Sequence, residues 1–92
     1  MDQTVLDNKI DKAVKHAPLY MVIIHNDDVN TFEWVIACIL KIFHTEYEEA
    51  VQLTHQVHNE GKAVCRVEPF EPAELHRDQL RSLHLSATME AE

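Results

Sequence analysis

Cysteine is scarce in this chain of 92 residues: only Cys38 and Cys65 occur, both inside apolar segments. No framework of paired cysteines exists, which excludes the disulfide-stapled secreted class and points to a reducing, cytoplasmic setting. Basic residues are few as well, 8 against 16 acids, for a net charge of −8. That balance excludes a nucleic-acid partner, because phosphate contacts need Lys and Arg. It suits cationic partners instead: an amine, a basic patch or a metal ion. No apolar run reaches the ~18 residues of a membrane span. The opening Met1-Asp2-Gln3 also lacks a signal peptide's basic region, so no membrane association is expected. The length excludes a dinucleotide fold joined to a substrate domain and is that of one domain. With 46% hydrophobic and 26% charged residues, such a chain is an ordinary globular one, burying about 60–65% of its unfolded surface.

Residues 1–17 carry mixed charge and weak apolar spacing, and are read as a flexible N-terminal extension ended by Pro18. Residues 18–92 form the core domain. Leu19 to His25 is continuously apolar and β-branched, a buried strand. It stops at Asn26-Asp27-Asp28, whose short side chains compete for local backbone hydrogen bonds and favour a turn. Asn30-Thr31-Phe32-Glu33 reads as a capping box with Asn30 as the cap. Phe32, Val35, Ile36, Ile39, Leu40 and Phe43 then share one helical face. Trp34, Ala37, Cys38 and Ile42 make the rest apolar enough to predict a largely buried helix.

Thr45-Glu46-Tyr47-Glu48 is a second capping box, and opens a helix whose inward stripe is Ala50, Leu53, Thr54, Val57 and His58. Gly61, the only glycine, falls where a helix end needs a left-handed residue. Alternation over Lys62–Val67 predicts a strand with Ala63, Cys65 and Val67 on one face. Pro69 to Pro72 reads as a turn, with Pro72 opening a short third helix along Ala73, His76, Leu80 and Leu83. Leu85, Ala87 and Met89 mark a last strand. The order β-α-α-β-α-β predicts an α/β (α+β) sandwich, a three-stranded antiparallel sheet packed with three helices.

Three constellations could carry chemistry. Asn26, Asp27 and Asp28 stand between a buried strand and a buried helix; they either cap the turn toward solvent or receive a cation. Catalytic carboxylate pairs come from separate elements that flank a bond, which sequence neighbours rarely achieve. Histidine is abundant, at seven, and His55 and His58 are i, i+3 on one helix. No Cys-x-x-Cys or His-Glu-x-x-His completes a metal site, however. Each Cys lies in an apolar element, where a thiol packs as a small hydrophobe. His58 is either a core histidine with a partner or the rim of a site. If the first two helices pack together, Phe32, Val35, Thr54 and Val57 form an apolar hollow rimmed by Asn26, Asp27 and His58. Such a hollow would take an apolar side chain carrying an ammonium at its mouth.

The stretches Tyr20 to Asp28, Phe32 to Ile36 and Val57 to Cys65 resemble the ClpS family, adaptors that deliver N-degron substrates to the AAA+ Clp protease. The resemblance covers residues 19–90, and the short connection before Leu85 is similar to its cyanobacterial and plastid branch. It implies an adaptor with no catalysis, no cofactor and no metal, acting as a monomer in the cytoplasm or, for a plastid member, the stroma. The positions matching Asn26, Asp27 and His58 bind the α-amino group of the substrate's first residue. Those matching Ile24, Asn30, Phe32, Val35, Thr54, Val57 and Leu85 surround its bulky apolar side chain. Glu71 and His76 match the surface that docks on the N-terminal domain of a Clp unfoldase of the ClpA or ClpC type. Residues 1–17 match the segment that the unfoldase engages.

Several positions depart from the family pattern. Thr-Pro-Met usually follows the acidic turn, where this chain has Asn30-Thr31-Phe32, and Thr54 stands in place of a second Met. His76 stands where a Lys is common. Methionine adapts its shape and these replacements do not, so a narrower pocket favouring leucine over tryptophan is expected. An imidazole that accepts from an ammonium must be neutral, so binding through His58 is expected to weaken below pH ~6.5. Two other readings remain open: an interaction module of similar fold, like the C-terminal domain of the ribosomal stalk protein, and a small metal- or thiol-dependent enzyme.

Overall fold

The β-branched run forms the middle of the sheet. A computed structural model describes residues 17–92, so the 1–17 extension lies outside the described residues apart from Ala17. Strand β1 (Leu19–His25) pairs antiparallel with β2 (Lys62–Pro69) on one side and with β3 (Ser86–Ala91) on the other. Val22 and Ile24 face a core contributed by all three helices. Ile23, of opposite phase, lies between its cross-strand neighbours Val64 and Thr88 and is also buried. Burial on both faces is why this strand reads as a continuous apolar run instead of an alternating one.

Helices α1 (Phe32–Phe43), α2 (Tyr47–Glu60) and α3 (Phe70–Ser82) complete the order β-α-α-β-α-β. Val35, Ile36, Cys38, Ile39 and Phe43 form the buried face of α1; Ala50, Thr54 and Val57 form that of α2. The largely buried α1 predicted from composition is amphipathic instead, since Glu33, Trp34, Ala37 and Lys41 are exposed.

Both predicted caps shift by one residue. Thr31, not Asn30, caps α1, its hydroxyl accepting from Trp34 N at 3.1 Å. The Asn30 amide is already held by Asp27 and His84, so capping passes to the next hydroxyl. For α2 the cap residue is Glu46, without a side-chain bond, and the Thr45 hydroxyl is buried with no partner. Helix α3 begins at Phe70, two residues before the predicted start. Pro72 sits in its first turn, where backbone N–H groups have no intrahelical acceptor and a missing donor costs nothing.

The predicted phase of β2 is half right. Val22 pairs with Arg66 but Ile23 with Val64, so Cys65 is an extra residue, a β-bulge. Beyond a bulge every side chain changes face. Ala63 and Cys65 are buried as expected, whereas Val67 is 40% exposed. Arg66 and Glu68 turn to the helix side instead. There Arg66 donates to the Phe43 carbonyl at 2.9 Å, and His76 Nδ1–H donates to Glu68 Oε1.

Candidate functional site

Two chain reversals bring together residues that are distant in sequence. Gly61 closes α2 at φ 89°, a conformation that L side chains rarely adopt, and its N–H bonds the Val57 carbonyl. The Gly61 carbonyl then accepts from Asn26 N at 2.8 Å. This single bond fixes the turn after β1 beside the last turn of α2, which carries Val57 and His58.

Asp27 organises the turn itself. Its Oδ1 accepts from Val29 N at 2.9 Å and Asn30 N at 2.8 Å, and its Oδ2 accepts from Asn30 Nδ2 at 2.8 Å. The Asn30 backbone N–H is the main reason its carboxyl stays below the usual value of 3.8, with help from the Asn30 and Val29 donors and against partial burial. Asp27 is therefore an anion at neutral pH, held in one orientation and still accessible. Asn30 Nδ2 also donates to the His84 carbonyl at 2.8 Å, and Trp34 Nε1 to the Leu83 carbonyl at 3.0 Å. Both bonds tie the turn and the start of α1 to the link between α3 and β3.

Between α1, α2 and this turn lies a hollow of about 440 Å³. Phe32, Val35, Thr54 and Val57 line it together with Asn26, Asp27, Asp28, Asn30, Thr31 and His58. Val35, Thr54 and Val57 are buried and make an apolar depth. The Thr54 hydroxyl donates to the Ala50 carbonyl at 2.8 Å, so it offers no free donor inside. The arrangement suits an apolar group of side-chain size that bears a cation where it meets the rim.

Eight of the ten residues expected at this site line the hollow. Ile24 and Leu85 do not: both are buried in the core and outside the lining. His58 is exposed and not on the inward stripe of α2; following Val57 by one position, it points out to the rim. Asp28, singled out with the acidic turn but not assigned to the amine site, also lines the hollow, and so does Thr31, which carried a visible signal as an N-cap residue. Glu71 and His76 lie on α3, away from the hollow; Glu71 is exposed, and His76 is half-buried, edge-on to Phe43.

Among the described residues no group of three His, Cys, Asp or Glu converges as a metal site. Burial raises the thiols of Cys38 and Cys65, the latter to about 12, so neither is a thiolate at neutral pH.

The comparisons with known proteins agree with this geometry. The family model for the ATP-dependent Clp protease adaptor protein ClpS matches residues 15–89. A ClpS adapter protein of Thermosynechococcus vestitus is 51% identical over 67 residues, 72% of this chain and 71% of that protein. One from Nostoc sp. strain PCC 7120 is 44% identical over 91 residues, 96% of this chain and 94% of that protein. The solved structure of Agrobacterium tumefaciens ClpS2 bound to L-phenylalaninamide superposes with a TM-score of 0.81 at 25% identity, covering 84% of this chain and all of that one. With its three-stranded sheet, its three helices and these matches, the chain belongs to the ClpS family of ATP-dependent Clp protease adaptors, and is an adaptor, not an enzyme.

Proposed function

We propose that the hollow binds the first residue of a substrate protein, reading a free α-amino group and a bulky apolar side chain together. The observation that carries this reading is the oriented Asp27 anion at the mouth of a cavity with buried apolar walls. An ammonium at the rim donates to Asp27, with Asn26 and His58 as further partners. The side chain enters between Phe32, Val35, Thr54 and Val57. L-Phenylalaninamide, the ligand of the A. tumefaciens relative, has both features, a free amine and an apolar side chain, which supports the reading.

Magnitudes explain why both features are required. Hydrogen bonds to a charged group contribute about 1.5–3 kcal/mol, and burying a Leu or Phe side chain contributes about 1.5–3 kcal/mol more. Neither alone overcomes the entropy of association. The stiff walls favour leucine over tryptophan. The loaded adaptor, a monomer in the cytoplasm or plastid stroma, hands its substrate to the N-terminal domain of a ClpA- or ClpC-type unfoldase. Its docking surface is the start of α3, where exposed Glu71 and 47%-exposed Phe70 support an interface, with His76 one turn on.

The test is fluorescence anisotropy with peptides beginning with Leu, Phe, Tyr, Trp or Val, each with a free and an acetylated N-terminus. Binding confined to free-amine bulky residues, strongest for Leu, is expected. Binding indifferent to acetylation would overturn the reading and favour an interaction module that uses helix surfaces.

A further inference from the structure

Three of the four apolar walls of the hollow cannot yield. Val35, Thr54 and Val57 are buried at 8%, 2% and 4% exposure, and all are β-branched, so their side chains are stiff at χ1. The fourth wall, Phe32, is the first residue of α1 and only partly buried. Entry of anything wider than the resting hollow therefore requires Phe32 to move.

The Phe32 ring is not free to do so. His55 lies edge-on to it, with ring centroids 4.6 Å apart and an interplanar angle of 64°. This is the favoured T-shaped geometry of aromatic pairs. His55 is exposed and is not among the residues lining the hollow. Neighbouring positions on a helix point about 100° apart. Thr54 accordingly forms the inner wall, while His55 reaches Phe32 from outside the cavity. One turn of α2 thus supplies both a fixed wall and a brace for the movable one.

We propose that His55 is a positioning residue: by bracing the Phe32 ring it fixes the width of the hollow and so sets which N-terminal side chains are admitted. This rests on the reading of the hollow as a side-chain pocket. A branched aliphatic chain enters with the brace intact. A bicyclic indole displaces Phe32 and breaks the contact with His55. The brace thus penalises tryptophan selectively and leaves recognition of the amine to the rim.

The experiment measures the affinities of free-amine Leu and Trp peptides for the wild type, His55→Ala, His55→Phe, Phe32→Ala and the double variant Phe32→Ala/His55→Ala. Acetylated peptides and thermal melts serve as controls. Loss of an aromatic contact is worth about three- to tenfold in an equilibrium constant. His55→Ala is therefore expected to raise the Trp-to-Leu affinity ratio about three- to tenfold, and His55→Phe, which retains an aromatic edge, to restore the wild-type ratio. In the Phe32→Ala background, removing His55 is expected to leave the ratio unchanged. In the ligand-free protein, the aromatic NMR signals of Phe32 are expected to shift in His55→Ala. A ratio unmoved by His55→Ala, or moved equally with and without Phe32, overturns the brace while the pocket reading stands. A wild type that binds acetylated and free peptides alike overturns both.

Discussion

Helix α2 has a hollow at each end, and the larger one is not the candidate site. The hollow of about 570 Å³ beside its first turn is lined by Phe43–Glu46, Glu49 and Val64–Val67 of β2. The hollow of about 440 Å³ beside its last turns is the candidate pocket. The larger hollow holds Arg66 of β2 with Glu46 and Glu49, and the smaller one holds Asp27 and Asp28 of the turn after β1; Arg66 and Asp27 are used differently. Arg66, in the larger hollow, donates to the Phe43 carbonyl and stacks 5.1 Å from the centre of the Phe43 ring. Its charge is engaged within the fold. Asp27, in the smaller hollow, uses neutral donors only and keeps its net charge for a ligand. Volume invites solvent; an uncompensated, oriented charge above buried apolar walls invites a particular ligand.

Exchanging each of the two charges for a neutral group separates the hollows most directly. Asp27→Ala is expected to weaken binding of a free-amine Leu peptide about ten- to a hundredfold, the equivalent of a charge-assisted hydrogen bond. Arg66→Ala is expected to leave that affinity unchanged. Asp27→Asn retains an oxygen for the backbone donors of the turn while removing the charge. A loss close to that of Asp27→Ala in anisotropy titrations would assign the effect to charge, not to a collapsed turn.

The chain reversals offer the next contrast. Gly61 stands at φ 89°, and a methyl group placed on its Cα would meet nothing within 4 Å, so only its backbone conformation resists substitution. Gly61→Ala is expected to cost about 1–2 kcal/mol, lowering Tm by about 4–8 °C per kcal/mol in a domain of this size. Near the other hollow, Thr45 holds a buried hydroxyl without a partner. Thr45→Val removes that unsatisfied group and is expected to hold or raise Tm. A fall on Thr45→Val would show that the hydroxyl has a partner in solution.

Asn30 sharpens the comparison within the smaller hollow. Asn30→Ala removes the bonds to Asp27 Oδ2 and the His84 carbonyl but leaves the two backbone donors to Asp27 Oδ1. Only the bond to Asp27 bears on the amine site, and at about 0.5–1.5 kcal/mol for that one bond the expected loss of peptide affinity is about threefold to tenfold, short of that for Asp27→Ala.

The same contrast separates what was legible in the sequence from what was not. The β1 run, the apolar stripe of α1 and the glycine at the end of α2 declare themselves, because periodicity and a single φ requirement are local properties. The acidic turn was also legible, since Asp27 holds it with its own side chain. What escaped depends on contacts across the fold. The cap of α1 moved to Thr31 because Asn30 is drawn to His84, 54 positions away. Val67 turned outward because pairing with β1 inserts a bulge at Cys65. Ile24 and Leu85 are as buried as Val35 and Val57, yet only the latter two line the hollow, a difference of position that hydrophobicity alone cannot show. The Phe32–His55 contact joins two helices and leaves no trace in either helix's own pattern.

The smallest expected effect is one of pH, and its sign follows from Asp27. The fold lowers its carboxyl below the ordinary 3.8, so the folded state favours the ionised form. That stabilisation is fully present above the ordinary value and is lost as pH falls through the lower, folded one. The stability difference between wild type and Asp27→Asn, from urea melts, is expected to stay constant from neutrality down to about pH 5 and to close only in stronger acid. Asp27 thus contributes no change in peptide affinity between about pH 7.5 and 5.5, the range in which imidazoles titrate. The remaining partner at the rim is therefore tested by substitution: His58 lines the hollow, and His58→Ala is expected to weaken binding of a free-amine Leu peptide about two- to tenfold, the equivalent of one hydrogen bond. An unchanged affinity would remove His58 from the ammonium site and leave Asp27 and Asn26 to hold the amine.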